Sequence, residues 1–522
     1  MYLRVAIACS QTSYLSTTDV FWSLCTRRIS LATPILCNAG LKVTGKQSLA
    51  SCFAIKLESV APDDIGALTT KVTNVILNGG GIGVNISCIA SIVALKPLME
   101  NLDSLAVLGS VVTSDNHMRR PGLAIYLDMW HFGLYEFLHT LPDSSKTHLA
   151  LMVPSLFMER LKQENSTWTL INPERCPGIL EATGEEFERW YEAAELAGYA
   201  DSKTIRIDIV WDIISKTILS KGKCYILQKD HINTFHDRRL LGKILHSNLC
   251  TEIAQENSRF KYVDPICILG AINVCADIDS LDSTVRLLTR ILNSVHDINV
   301  LPKKYVAPSS RAIGIGIVGF ADLCQKNKIK FVDGGDLLRE IYRTIYYSSL
   351  CESTKLNEIL GRCDDPSDRG ILETSGITMQ EMYPGFEFDE DEQAYQRYHH
   401  HELFGLKSRI LKYGVRNKYL TAQMPTAYSS VIAGVNDGCE PYISNMFSKK
   451  LCGVVVVIVN PALRERLSRD FTPEKVGQIL VNTGGQYTEM KRMFDSGLFP
   501  PYDKSPDWLD LFKTVMMKSS RK

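Results

Sequence analysis

Hydrophobic positions in this chain come in short runs separated by longer amphipathic stretches. Seven runs read as strands: FAIKL (53–57), IGVNISCI (82–89), LAIYLDMW (123–130), KCYILQ (223–228), ICILGAINV (266–274), AIGIGIVGF (312–320) and GVVVVIVN (453–460). Most are rich in Ile and Val, which suit a pleated surface. Between them, residues 184–197 and 336–360 place apolar side chains at helical spacing. Strands alternating with helices favour an α/β barrel or an open parallel sheet. Residues 1–45 look helical, with a break at Thr33-Pro34, because proline disfavours helix at the residue before it. The most apolar run, LCGVVVVIV at 451–459, is far shorter than the roughly 20 residues that span a bilayer and reads as a buried strand. A polar stretch near 380–402, acidic at EFDEDE and ending in HHHE, reads as an exposed insertion. The adjacent side chains of His399, His400 and His401 diverge, so a solvated loop is favoured there over a metal site.

Composition narrows the function classes. The 522 residues carry 58 Lys+Arg against 58 Asp+Glu, so no global field draws nucleic acid or an anionic membrane. The 15 Cys include no C-x-x-C spacing, and the chain is too long for a disulfide scaffold. Most are expected to be reduced core thiols. The opening MYLRVAIACSQTSYL has neither a basic leader nor a sustained apolar stretch, so no secretory signal is read and a cytoplasmic location is expected.

Within SNLCTEIAQ (247–255), Asn248, Cys250 and Glu252 put an amide, a thiol and a carboxyl at every second position. On an extended strand or loop these share one face. A thiol beside a proton-accepting carboxyl and an amide that can hold a hydroxylated ligand is equipment for a reaction, although a half-buried strand with one structural Cys is the plainer reading. MPTAYSS (424–430) sets Pro, Thr and Ser before a helix, which suits phosphate binding or a simple N-cap. GGGIG (79–83) offers flexible backbone for a close approach or a tight turn. GIGIVG (314–319), followed by Asp333, fits a dinucleotide fingerprint, but the preceding APSSRAI is not the apolar strand such a turn should close. Cys52 at a strand start and Cys267 within ICILGAINV each read singly as core.

In this order, LATPILCNAG, SCF, GGGIGVNISCI, RRPGLAIYLDMWHFGLYEFL, SNLCTEI, ICILGAINV, RAIGIGIVGFADL, KYGVRNKYLTAQMPTA, GCEPYISNMF and VNPAL resemble the large subunit of class I ribonucleotide reductase across almost the whole chain. The resemblance implies a ten-stranded α/β barrel over residues 49–522, incomplete at its C-terminal end, behind a partial helical region at 1–48. It implies reduction of ribonucleoside diphosphates to deoxyribonucleoside diphosphates by radical chemistry. Cys250 would carry the thiyl radical on a loop inside the barrel, Glu252 would be the base at the 3′-hydroxyl, and Asn248 would hydrogen-bond the sugar. Cys52 and Cys267 would be the dithiol that closes to a disulfide. Thr33, Ser51, Thr426, Ala427, Tyr428 and Ser429 would hold the substrate. No metal or cofactor is expected on the chain itself. A small subunit with a di-iron/tyrosyl centre would supply the radical, a thioredoxin- or glutaredoxin-type dithiol the electrons, and a second copy a homodimer.

The sequence departs from the family in four places. The region before MYLRVAI, including the ATP-cone, is not present, and KTVMMKSSRK ends before the tyrosine pair that relays the radical and the tail cysteines. Tyr346-Tyr347 match a different, helical segment. The specificity-effector site looks dismantled: Ser59-Val60, Leu77 and Ala90 stand where charges are usual, and a Gly/Asn-rich loop is shortened to IVALKPLMENLDSL. Tyr428 replaces a small hydroxyl residue of the phosphate loop, so its ring must swing away or the diphosphate must bind differently. A chain lacking the relay and tail would complete at most one reduction. Two readings stay open at this point: a reductase large subunit, or an impaired homologue kept as a protein-interaction scaffold.

Overall fold

The computed structural model describes residues 1–41, 48–115, 120–142, 145–222, 224–234, 236–237, 239, 241–258, 264–276, 278–302, 310–362, 369–375, 405–451, 454–496 and 507–514. The polar stretch at 380–402, with its three histidines, lies outside them. Twelve strands form among the described residues: β1 (Ile29–Leu31), β2 (Cys52–Lys56), β3 (Gly81–Asn85), β4 (Gly122–Asp128), β5 (His148–Val153), β6 (Thr167–Leu170), β7 (Lys203–Arg206), β8 (Cys224–Gln228), β9 (Ile266–Asn273), β10 (Ile313–Val318), β11 (Met446–Leu451) and β12 (Val454–Val459).

The main sheet is mixed. β2, β3, β4, β5 and β8 run parallel in that order, and β9 joins β2 antiparallel. β10 then runs parallel to β9, and an isolated parallel bridge from Ile315 to Thr421 carries the sheet one step further. Two parallel sets of opposite direction therefore meet at the β2–β9 seam, and the sheet curls into the α/β barrel class expected from the sequence. β6 and β7 form a separate hairpin. Parallel neighbours need a crossover between them, and helices supply several of these: Pro62–Leu77 follows β2 and Ile92–Asp115 follows β3. Pro62 and the acidic Asp63 and Asp64 open the first of these helices, where a missing N–H and negative charge are both favoured. Helix Leu281–Ile298 turns Leu281, Val285, Leu288, Ile291, Leu292 and Val295 onto the sheet at 3.6-residue spacing.

Three expectations are corrected. Residues 1–45 are not helical throughout: after helices Tyr2–Cys9 and Thr17–Cys25 the chain makes β1, paired antiparallel with β9, and Pro34 opens helix Thr33–Asn38 instead of ending one. The stretch at 92–105 is no loop remnant but the first half of a 24-residue helix that contains Pro97. Of LCGVVVVIV, residues 454–459 form a strand but not a buried one: among the described residues β12 pairs only with β11, and Val454 and Val457 are 62% and 63% exposed. Among the described residues no second layer covers this face of the two-stranded ribbon, so a β-branched run stays at the surface. GIGIVG is itself β10, with Gly319 in the left-handed region leading into helix Phe320–Lys326. Gly314 and Gly316 lie within the strand and not in a turn after one, which removes the dinucleotide reading.

Three buried ion pairs lie among the described residues. Lys229 bonds Asp128 at 2.8 Å, Lys71 bonds Asp264, and Lys418 bonds Glu373, each pair inside the fold. Three buried imidazoles are held neutral mainly by desolvation: His131 at about 4, His246 at about 3 and His296 at about 3. These folded values lie below the ordinary histidine value of about 6.5. Their contribution to stability is therefore complete above pH 6.5 and is lost as pH falls toward the folded values, at about 1.4 kcal/mol per pH unit for each. Burial pushes the Asp264 carboxyl up to about 6. It acts in the opposite direction between pH 6 and about 4 and offsets one histidine. Raised carboxyls at Asp128 and Asp322 act in the same direction as Asp264, so the histidine contribution is read by difference: His131→Asn should lose less unfolding free energy than wild type from pH 6 to pH 4, by about 1.4 kcal/mol per pH unit in urea titrations. Equal pH slopes in variant and wild type would refute the assignment.

Candidate active site

SNLCTEI is a loop that crosses the inner face of β3 and β4. It has no ladder of its own, so side chains supply its backbone partners. Asn233 Oδ1 accepts from Ile244 N at 2.8 Å, Asn257 Oδ1 from Leu245 N at 2.7 Å, and Asn85 Nδ2 donates to Leu245 O at 3.1 Å. Further along, the Tyr126 hydroxyl donates to Asn248 O, and Ser247 Oγ donates to Ile253 O at 2.8 Å. The strands beneath make room by having no Cβ. At Gly83 a Cβ would overlap the Ser247 carbonyl oxygen and sit 2.9 Å from the Asn248 backbone. At Gly122 it would run into Leu249, and at Gly81 it would sit 3.0 Å from Leu249 Cδ2. The close approach suspected for GGGIG is the approach of this loop.

The three alternating residues do not share a strand face, because Thr251 turns the chain at φ +67°. The turn nevertheless brings Glu252 back to Asn248. Asn248 Nδ2 donates to Glu252 Oε2 at 2.8 Å, while Asn248 Oδ1 accepts from Ile253 N at 3.2 Å. The other carboxylate oxygen, Oε1, accepts from Cys52 Sγ at 3.1 Å. Glu252 is thus gripped between an amide and a thiol. Cys250 is half-buried beside it.

Cys52 and Cys267 are direct partners across the β2–β9 seam. Antiparallel partners have Cα atoms about 4.5–5.5 Å apart, within the span a disulfide requires. Both are thiols here. Burial first, and the Glu252 charge second, hold the Cys267 thiol well above the usual range. They share a small apolar cluster with Ile253, Leu269, Ala422, Met424 and Ala433, against which Ala32 packs.

The substrate residues of the sequence reading divide. Ser51 is buried next to Cys52, and Thr33 follows Ala32 at the rim of the same cluster. The 426–430 loop is brought to β1 by Ser30 Oγ, which donates to Ser429 O at 3.2 Å. Thr426 is buried, and its Oγ1 accepts from Gly438 N at 2.9 Å. Ala427 and Tyr428 are exposed, Tyr428 at 52%. Sequence reasoning missed Tyr126, whose hydroxyl anchors the loop from another strand; no local pattern announces such a contact.

A model of the ribonucleotide reductase barrel domain matches residues 50–505. The chain belongs to the ribonucleotide reductase family. It is 30% identical over 523 residues to the ribonucleoside-diphosphate reductase large subunit of Danio rerio, covering 94% of this chain and 63% of that protein. It is 29% identical to the large chain of Cryptosporidium parvum, over 87% of this chain and 58% of the relative. The large subunit of Vaccinia virus (strain Copenhagen) is 30% identical, over 93% and 64%. The chain therefore spans somewhat under two thirds of the length of these reductases.

If the loop depends on glycines for its seat, Gly83→Ala should displace it. Overpacking of this kind costs about 1–3 kcal/mol, read as a lower urea midpoint. Alkylation of Cys250 should accelerate as the loop lifts. A variant with wild-type stability and wild-type Cys250 reactivity would contradict the packing argument.

Proposed function

We propose that this chain provides the catalytic barrel of a ribonucleoside-diphosphate reductase large subunit and removes the ribose 2′-hydroxyl of ribonucleoside diphosphates, supplying DNA precursors. The observation that carries the reading is Glu252, held by Asn248 on one oxygen and Cys52 on the other, with Cys267 directly across the seam. A substrate 3′-hydroxyl that displaces the Cys52 contact would meet a carboxylate already aimed by Asn248, which is the geometry a general base needs. Cys250, as thiyl, would take the 3′ hydrogen and later return it. The 2′-hydroxyl would leave as water with a proton from the Cys52/Cys267 pair, whose two sulfurs then bond and deliver two electrons. The loop lies inside the barrel, where a sulfur radical is shielded from solvent. Thr33, Ser51 and the 426–429 loop would hold the diphosphate end.

The radical would come from a small subunit with a di-iron/tyrosyl centre, and the disulfide would be reopened by a thioredoxin- or glutaredoxin-type dithiol. A homodimer and a cytoplasmic location belong to the same proposal. No helix among the described residues is long and apolar enough to cross a membrane. The test is conversion of labelled CDP by the full-length protein with its small subunit and dithiothreitol. Product is expected, and Cys250→Ser should reduce it to background. No product from the intact wild-type protein, with substrate bound, would overturn the reading and leave a non-catalytic scaffold.

Regulation should differ from that of charge-lined effector sites. Val60 and Leu77 are exposed apolar side chains, and the Ser59 hydroxyl is engaged by Asp64. Neither dTTP nor dATP at micromolar concentration should raise the melting temperature. A ligand confined to the native state and present at 100 times its Kd would add about 2.7 kcal/mol. A clear shift with either nucleotide would show that the effector site survives.

A further inference from the structure

GIGIVG makes no dinucleotide turn, yet two of its glycines face the segment that leads into the 426–430 loop. Residues 419–422 run beside β10 as a further strand would. Ile313 N donates to Tyr419 O at 3.0 Å, Ile315 N to Leu420 O at 3.0 Å, and Ala422 N to Ile315 O at 3.1 Å. The next rung belongs to Ile317, which is fully buried. There a side chain stands in for backbone: Gln423 Oε1 accepts from Ile317 N at 3.0 Å, and Gln423 Nε2 donates to Ile317 O at 3.3 Å and to Met424 O at 3.4 Å. The carboxamide closes the ladder as a peptide group would, and the main chain is released at Met424-Pro425.

Glycines make the room for this amide. A Cβ at Gly316 would sit 2.7 Å from Ala422 O, 3.0 Å from Gln423 Oε1 and 3.1 Å from Met424 Sδ, and one at Gly438 would sit 2.8 Å from Gln423 Nε2. At Gly314 a Cβ would meet both Ala422 Cβ at 2.8 Å and Cys267 Sγ at 3.0 Å, so the same segment passes beside the seam cysteine. From helix Gly335–Leu360 the Tyr342 hydroxyl donates to Gln423 Oε1. Burial first, then Cys439, holds this phenol well above its usual range, so it keeps the proton it donates. Tyr342 also shares a side-chain hydrogen bond with Cys439, the residue after Gly438. Gly438 N in turn closes the loop on Thr426 Oγ1 at 2.9 Å. The phenol therefore holds the chain both before and after the loop.

We propose that Gln423 and Tyr342 are positioning residues that fix where the chain leaves β10, and so where the 426–430 loop stands relative to Cys52 and Cys267. Ala422 and Met424, on either side of Gln423, lie in the cluster that holds the two cysteines. That this loop takes the diphosphate rests on the reading above, whereas its placement can be measured without substrate.

Hydrogen exchange of the full-length protein, read by peptide mass spectrometry, tests the placement. Ser430 N is bonded to Thr426 O at 2.8 Å and Gly438 N to Thr426 Oγ1, so both amides report on the loop. Gln423→Met keeps the length of the side chain and removes its hydrogen bonds. Peptides carrying Ser430 and Gly438 should then exchange about tenfold faster, the equivalent of one lost hydrogen bond. Tyr342→Phe should give a smaller increase in the same peptides, and the double variant should exceed Gln423→Met by little, because the phenol acts through the amide. Peptides from β3, β4 and β5 should keep their wild-type exchange. With the small subunit present, KM for CDP should rise about tenfold in Gln423→Met while kcat falls by less. Wild-type exchange at Ser430 and Gly438 in Gln423→Met would overturn the proposal, as would an equal acceleration in β3, β4 and β5. Faster exchange in the loop with an unchanged KM would uphold the placement and count against the diphosphate reading.

Discussion

A loop can cross the inside of a barrel only if every backbone group it buries finds a partner and the wall beneath it leaves room. The rest of this structure follows from how that constraint is met. A strand laid there would have its edges satisfied by neighbours; a loop has none, and Asn233, Asn257, Asn85, Tyr126 and Ser247 take over that task. Each amide reaches in from a different part of the chain, so the loop conformation is fixed by the surrounding fold. Gly83 and Gly122 complete the seat by absence of side chains. The same fixing turns a left-handed Thr251 from a strain into a device, since it folds Glu252 back onto Asn248.

The seam is the second consequence. If β2 and β9 ran parallel, their evenly slanted bonds would belong to one continuous set; antiparallel pairing instead ends one set and begins another, and it sets Cys52 opposite Cys267. The junction is pinned from outside by Lys71 and Asp264, the latter three residues before Cys267. Breaking such a pair leaves a buried charge uncompensated, which costs about 3–5 kcal/mol. Register at the dithiol is therefore tied to a buried ion pair as well as to the ladder. A similar tie holds β4 to the segment after β8, through Asp128 and Lys229.

Much of the sheet was legible because runs such as LAIYLDMW and ICILGAINV are apolar on both faces, as strands buried between layers must be. β1 was not, because ISL is three residues long and becomes a strand only where β9 offers an edge. GVVVVIV declared itself a strand through β-branching, yet branching is silent on whether a second layer covers it. At the site, Asn248, Cys250 and Glu252 were visible through their spacing, but the contact between Asn248 and Glu252 is made by a turn that alternation does not encode.

Tyr428 shows how far scaffold and chemistry are separable. The loop that carries it is closed by Thr426 accepting from Gly438 N and by Ser430 bonded to Asp437. The following segment is fastened in turn by Asp322, which accepts from Asn436 N at 2.8 Å and from the Tyr442 hydroxyl at 2.6 Å. These contacts use residues on either side of position 428. A bulky ring at 428 therefore sits on the loop without unseating its backbone. The exposed ring thus bears on the surface of the loop and not on whether the loop can form.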